Sequence, residues 1–376
     1  MGPATLERGA KLRWGPGALL AVQEDFMTIS RRGLMAAAGG LIAAPAILRA
    51  SGAKAQAAVT LRMHHFLPAA SNAHARLIAP WAKSVEAATD GKLRIQVFPA
   101  MQLGGTPAQL YDQARDGVVD MVYTLPGYTP GRFPGSEVLE LPFIAYRSSK
   151  VNSPAAWDFS QAHMGAETQD VKLLCYWCHD GGVIHSNRRM ASLADLKGQR
   201  LRFPTRLAGE ALKAAGAAPI GMPVTQVVES ITQRVLDGAV VPWEVAPSIK
   251  LPDLVRNHML IAGDPTFYTA SFMVVMNKAR YEGLPAELRK TLDDLSGLAY
   301  SRAAGDVWDQ ASADVEAAVR KGGRNTITTL PDADKATWMK DCEAVTAQWI
   351  DEMKARKLNG LAMIEDAKKL LAKYAG

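Results

Sequence analysis

Cysteine is scarce in this chain: Cys175, Cys178 and Cys342 are the only three among 376 residues. A zinc site built on Cys175 and Cys178 would need a second ligand pair at suitable spacing, and the sequence has none. The seven histidines are scattered. Their one adjacent pair, His64-His65, follows a strand pattern in which neighbours face opposite ways, so no metal site is expected. Also missing are G-x-S-x-G, H-E-x-x-H, the P-loop and G-x-G-x-x-G. Hydrolase, metalloprotease and nucleotide-cofactor readings therefore have no positive support, and no cofactor is implied. No basic run with interleaved aromatics occurs. The formal net charge is +6, but residues 1–57 carry seven basic and three acidic side chains, so only +2 belongs to the rest. Nucleic acid is not an expected partner.

A membrane-spanning run is absent as well. The charge-free stretch from Gly33 to Leu48 is shorter than the roughly 18 to 20 apolar residues that cross a bilayer. It follows Ser30-Arg31-Arg32-Gly33-Leu34-Met35, a twin-arginine pattern, and precedes small residues at Ala53-Lys54-Ala55 and Ala55-Gln56-Ala57. That combination predicts an export leader over residues 1–57, cleaved near 55–57, with the mature protein in the periplasm. No cysteine follows the apolar stretch, so a lipid anchor is not expected. Met27 would open a leader of more ordinary length.

What is present is the patterning of an α/β protein, with 48% apolar residues, ample for a packed core. About 320 residues remain beyond the leader, enough for two domains. Val59–Met63 alternates as a half-buried strand. Leu77, Ile78, Trp81, Val85 and Ala88 recur at helical spacing after Ser71-Asn72, and Asp90-Gly91 ends that helix. Leu93, Ile95 and Val97 alternate again, Pro107 opens a second helix that stops at Asp116-Gly117, and a strand runs through Val122-Tyr123. The order β-α-β-α-β predicts a largely parallel sheet. The pattern recurs with a short strand at Leu201 and Phe203, helices over 208–215 and 227–235, and Asp237-Gly238 before an apolar strand. Two facing α/β lobes are expected, residues 58–179 with about 268–323 and residues 180–267 with about 324–376. A long connecting helix runs from Pro285 through Leu288, Leu292, Leu295 and Leu298 towards Val319. C-terminal helices from Asp332 turn Trp338, Val345, Trp349 and Met353 inward.

Cys175-Tyr176-Trp177-Cys178 is formally a C-x-x-C, and a redox enzyme is one alternative. Such motifs act at helix N-termini, whereas Val171-Lys172-Leu173-Leu174 leads in as a strand. Residues three apart on a strand face opposite sides, so two core thiols are the expected reading.

The segment Asp195-Leu196-Lys197-Gly198-Gln199-Arg200-Leu201-Arg202-Phe203-Pro204 matches D-L-K-G-x-x-L-R-x-P. With it go Gln102-Leu103-Gly104-Gly105, Leu139-Glu140-Leu141-Pro142-Phe143, Leu236-Asp237-Gly238 and Val275-Met276-Asn277. In these features the chain resembles the DctP-like substrate-binding proteins of tripartite ATP-independent periplasmic (TRAP) transporters. The resemblance implies a two-lobed periplasmic-binding-protein fold of type II character and no enzymatic activity. It also implies capture of an organic acid for delivery to a small and a large integral membrane subunit. A binding protein of an ATP-driven importer or of a sensor is the other alternative. In the family the arginine of L-R-x-P holds the ligand carboxylate, and the matching residue is Arg202. A guanidinium suits that role because it stays charged and offers a rigid bidentate fork. Where sugar-acid binders carry polar groups, this chain has Phe66, Leu125, Gly182 and Val241. Trp243 follows closely, and Phe267-Tyr268 lies where the chain is expected to cross between lobes. One anchor with apolar and aromatic walls implies a monocarboxylate with an apolar or aromatic body.

Overall fold

The structure, a computed structural model, describes residues 58–376; the expected leader lies outside the described residues. Eleven strands form two sheets among those residues. In chain order they open with β1 (Val59–His65), β2 (Leu93–Phe98), β3 (Met121–Thr124) and β4 (Val171–Cys178). Then come β5 (Val183–Ser186), β6 (Arg200–Phe203), β7 (Ala218–Gly221), β8 (Gly238–Val241) and β9 (Asn257–Leu260). The last two are β10 (Ser271–Asn277) and β11 (Thr326–Thr329). The first sheet runs β2-β1-β3-β10-β4 and the second β11-β9-β5-β8-β6-β7. The α/β class and its two-sheet architecture are as the sequence implies.

The helices of the first sheet are α1 (Ala79–Ala88), α2 (Leu110–Arg115) and α3 (Ser149–His163). Those beside the second are α4 (Arg206–Ala214), α5 (Val227–Thr232) and α6 (Leu251–Leu254). Beyond β10 come α7 (Lys278–Glu282), α8 (Ala286–Asp294), α9 (Gly297–Lys321), α10 (Asp332–Asp341), α11 (Glu343–Ala355) and α12 (Gly360–Ala375). Among the described residues no helix is long and apolar enough to cross a membrane.

β1, β2 and β3 pair in parallel, as the β-α-β-α-β order requires. β10, which returns late in the chain, is antiparallel to both β3 and β4, so the sheet is mixed. Near-continuous burial of β3 and β10 fits central strands covered on both faces, and the edge strand β4 is buried because α3 and α9 pack against it.

Three elements differ from their expected extents. The helix expected over 227–235 stops at Thr232, and Arg234 takes a left-handed φ of 58°. The single long helix from Pro285 is two helices. Ser296 is extended and Gly297 has φ +60°, with the Trp157 ring only 3.0 Å from where a Cβ would stand. Apolar spacing alone carries across such a break because α8 and α9 both bury one face. α12 lies against α3, beside the first sheet, rather than with the second, where the sequence places residues 324–376. Lys373 Nζ and the Tyr374 hydroxyl both donate to Asp158 there.

Besides the long helical passage from β10 to β11 through α7, α8 and α9, two short crossings join the sheets, residues 179–182 between β4 and β5 and residues 261–270 between β9 and β10. They run side by side: Gly182 N–H donates to Tyr268 O and His179 N–H to Ala270 O. Backbone hydrogen bonding thus holds the two connections together where the sheets meet.

Candidate functional site

A cavity of about 410 Å³ opens between the sheets, beside the crossings. Its walls come from the ends of β1, β3 and β6, the segment after β8, both crossings and α9. No two of those contributions are forced together by local sequence.

Arg202 is its cationic group. It sits on β6 and is 2% exposed. Its Nε donates to Met222 O at 2.8 Å and its Nη1 to Val240 O at 3.2 Å, while Nη2 has no partner among the described residues. Two carbonyls therefore fix the guanidinium plane, and one N–H edge remains uncommitted. No carboxylate of the described residues forms an ion pair with it. A buried cation without a counter-charge is costly, and an anionic ligand would relieve that cost. Its neighbour Arg200 takes the opposite course: it is half-exposed and pairs with Asp237 at 2.8 Å.

The walls are mainly aromatic. Phe66 stacks on Tyr123 at 5.4 Å and meets Tyr128 edge-on at 5.4 Å; Tyr123 in turn stacks on Trp177 and Phe272. Leu125, Val241, Val224 and Val245 complete the apolar surface. Tyr128 accepts the Val224 N–H at 3.1 Å, tying the first-sheet side of the cavity to the second.

Burial shifts two ionisable groups in the walls towards their neutral forms. His179 falls to about 3, from desolvation first and the charge of Arg202 after it. Glu244 rises to about 7, again by desolvation, although its carboxylate accepts the Ala73 N–H at 3.0 Å.

Of the residues expected at a site, Phe66, Leu125, Arg202, Val241 and Tyr268 line this cavity. Gly182, Trp243 and Phe267 do not. Gly182 acts one layer out: a Cβ on it would stand 1.8 Å from the Tyr268 ring, so only glycine leaves that ring its place. Trp243 lies beyond β8 towards β5 and β9, edge-on to His185 at 4.8 Å and beside His258. There it borders a second, more polar pocket of about 710 Å³ with Asp180 and Asp309. Phe267 stacks on Trp338 in the core. Phe267 and Tyr268 lie in the irregular crossing, with ring centroids 4.9 Å apart, so no strand alternation sorts them and packing against Trp338 decides where Phe267 sits. Sequence reasoning missed Tyr123, Tyr128, His179, Glu244, Phe272 and Trp308. Trp308 sits at regular helical spacing on α9, where the pattern signals only a buried face. No local feature sets the others apart.

Both thiols of the C-x-x-C are fully buried, unbridged and on β4. Burial pushes each of them far up, away from the thiolate. They lack the electropositive, accessible setting of a reactive pair.

A family model described as DctP, bacterial extracellular solute-binding protein, family 7, matches residues 63–352. A marine metagenome TRAP solute-binding protein specific for aromatic acid ligands, solved with meta-hydroxyphenylacetate, is 40% identical. It superposes with a TM-score of 0.82 over 85% of this chain and 100% of that one. A TRAP solute-binding protein from Rhodoferax ferrireducens, solved with copurified benzoate, is 38% identical with a TM-score of 0.81, covering 84% and 98%. The ectoine/5-hydroxyectoine-binding periplasmic protein of Ruegeria pomeroyi is 27% identical over 83% of this chain and 91% of its own length.

Proposed function

The chain belongs to the bacterial extracellular solute-binding proteins of family 7, the DctP family, and from that premise we propose that it is a periplasmic receptor for an aromatic monocarboxylate. The observation that carries this reading is the uncommitted Nη2 of buried Arg202 in a cavity walled by Phe66, Tyr123, Leu125, Val241, Tyr268 and Phe272. One carboxylate would complete the guanidinium fork, and an aromatic body would gain roughly 25 cal/mol per Å² of apolar surface buried. A second carboxylate against those walls would lose its water with no cation to replace it. The relatives that bind hydroxyphenylacetate and benzoate support the same ligand class.

Ligand contacts from both sides of the cavity would favour the closed arrangement of the sheets. The receptor would then deliver its acid to a TRAP transporter's small and large membrane subunits, as its TRAP relatives' membership suggests. Export through a twin-arginine leader over residues 1–57 belongs to the same proposal. The importer-receptor and redox readings have no comparable support, the latter because both thiols are buried and protonated.

The test is a thermal-shift and calorimetric panel of benzoate, phenylacetate, succinate and a sialic acid. An aromatic acid at 100 times its Kd should add about 2.7 kcal/mol to stability, and it should bind well ahead of the other two classes. Tighter binding of succinate or the sugar acid would overturn the ligand class and leave the receptor assignment standing.

A further inference from the structure

Once Arg202 has taken a carboxylate, the cavity still holds buried polar atoms that a bare aromatic acid cannot serve. His179 lines it and is 1% exposed. Its Nδ1 faces the carbonyl oxygen of Asp180, its own chain neighbour. A carbonyl only accepts, so the ring proton resides on Nδ1 and Nε2 presents a lone pair. Nε2 is buried without a partner among the described residues. The Tyr123 hydroxyl and Trp308 Nε1, also in the walls, are in the same condition.

These atoms differ in what they ask of a ligand. A carboxylate offers acceptors alone; it suits the Arg202 edge and would repel the His179 lone pair. A hydrocarbon ring offers nothing to either. A hydroxyl can donate to His179 and accept from the Tyr123 hydroxyl or the Trp308 N–H. We propose that the ligand is a hydroxy-substituted aromatic acid, and that His179 Nε2 accepts its hydroxyl and so determines specificity. This rests on the reading of the cavity as the site of an aromatic carboxylate. Burial, which keeps the imidazole neutral, preserves the lone pair through the physiological range.

Calorimetry of the purified chain would compare phenylacetate with mandelate, the three ring-hydroxylated phenylacetates and phenylglycine. At least one hydroxy acid should bind about tenfold or more tightly than phenylacetate, because a site built around a hydroxyl leaves its partners unpaired when the hydroxyl is missing. In His179→Phe that ratio should fall towards one. In His179→Gln, whose amide oxygen can accept, part of it should persist. Circular dichroism checks each variant's fold, and the wild-type ratio stands as a test even where a variant fails to fold. No advantage for any hydroxy acid, or an advantage that survives in His179→Phe, overturns the proposal and leaves the aromatic-acid reading intact. Tighter binding of phenylglycine than of mandelate overturns it in favour of an ammonium paired with Glu244. If no aromatic acid binds but an aliphatic acid does, the aromatic reading fails by itself. The hydroxyl is then decided by butyrate against 2-hydroxybutyrate.

Discussion

Arg202 and Gly182 act on the same cavity by different means. Removing the guanidinium withdraws the one cation in the cavity walls. Arg202→Ala is expected to weaken acid binding by about 2 to 5 kcal/mol, the usual loss when one partner of a buried charge pair goes. Arg202→Lys should recover little, because an ammonium cannot keep the Met222 and Val240 carbonyls and also present a fork. Calorimetry reads both, and wild-type affinity in Arg202→Ala would exclude this arginine from the site. Gly182 touches no ligand in this account. Gly182→Ala forces a methyl into the Tyr268 ring, and overpacking of that kind typically costs about 1 to 3 kcal/mol. Lower affinity and a lower melting temperature together are expected. An unchanged melting curve would mean that the crossing at 179–182 shifts freely.

At the scale of elements, one ionic cluster ties three of them. Arg206, at the start of α4, grips both oxygens of Glu137 at 2.6 Å and one of Glu352 on α11 at 2.7 Å. Trp349 Nε1 donates to the same Glu137 at 3.0 Å. Glu137 lies on the short turn over Ser136–Glu140, beside the first sheet, so the cluster spans first-sheet and second-sheet elements. Arg206→Ala would leave Glu137 buried with a single neutral donor. A stability loss of about 3 kcal/mol is expected in denaturant titration. The double variant Arg206→Ala with Glu137→Gln should lose less, since no uncompensated charge remains. Equal losses in the two would assign the effect to packing.

Over the whole molecule, burial raises several carboxyls at once: Glu140 to about 8, Glu167 to about 7 and Glu244 to about 7. Each binds its proton more tightly folded than unfolded. Its contribution to stability is therefore complete below the ordinary value near 4.5 and is lost as pH rises to 7 or 8. His65 and His179, both lowered to about 3, work in the other direction, losing stability as pH falls below about 6.5. Glu140→Gln keeps the acceptor for Ser271 N–H and removes one titration. Its melting temperature should fall less than the wild type's between pH 5 and pH 8, and calorimetric scans at both pH values compare the slopes. Parallel slopes would show that Glu140 is not the group responsible.

What the sequence by itself determined follows from periods of two and 3.6 residues, which report only near neighbours along the chain. The parallel core of the first sheet and the burial of Trp338, Trp349 and Met353 were legible there, whereas the inward seat of Arg202 was implied only by the family resemblance. The L-R-x-P run supplied the chemistry of that arginine. The gap between α8 and α9 and the packing of Trp243 on His185 and His258 were not legible, because the first turns on one backbone angle and the second on contacts with strands distant in sequence. The cavity itself is decided only by tertiary structure. Tyr123, His179, Glu244 and Trp308 stand on four segments up to 185 positions apart, each with the pattern of an ordinary buried residue. They meet because two crossings are bonded side by side and α9 packs across them. Long-range packing of that kind leaves no mark on any local stretch of sequence.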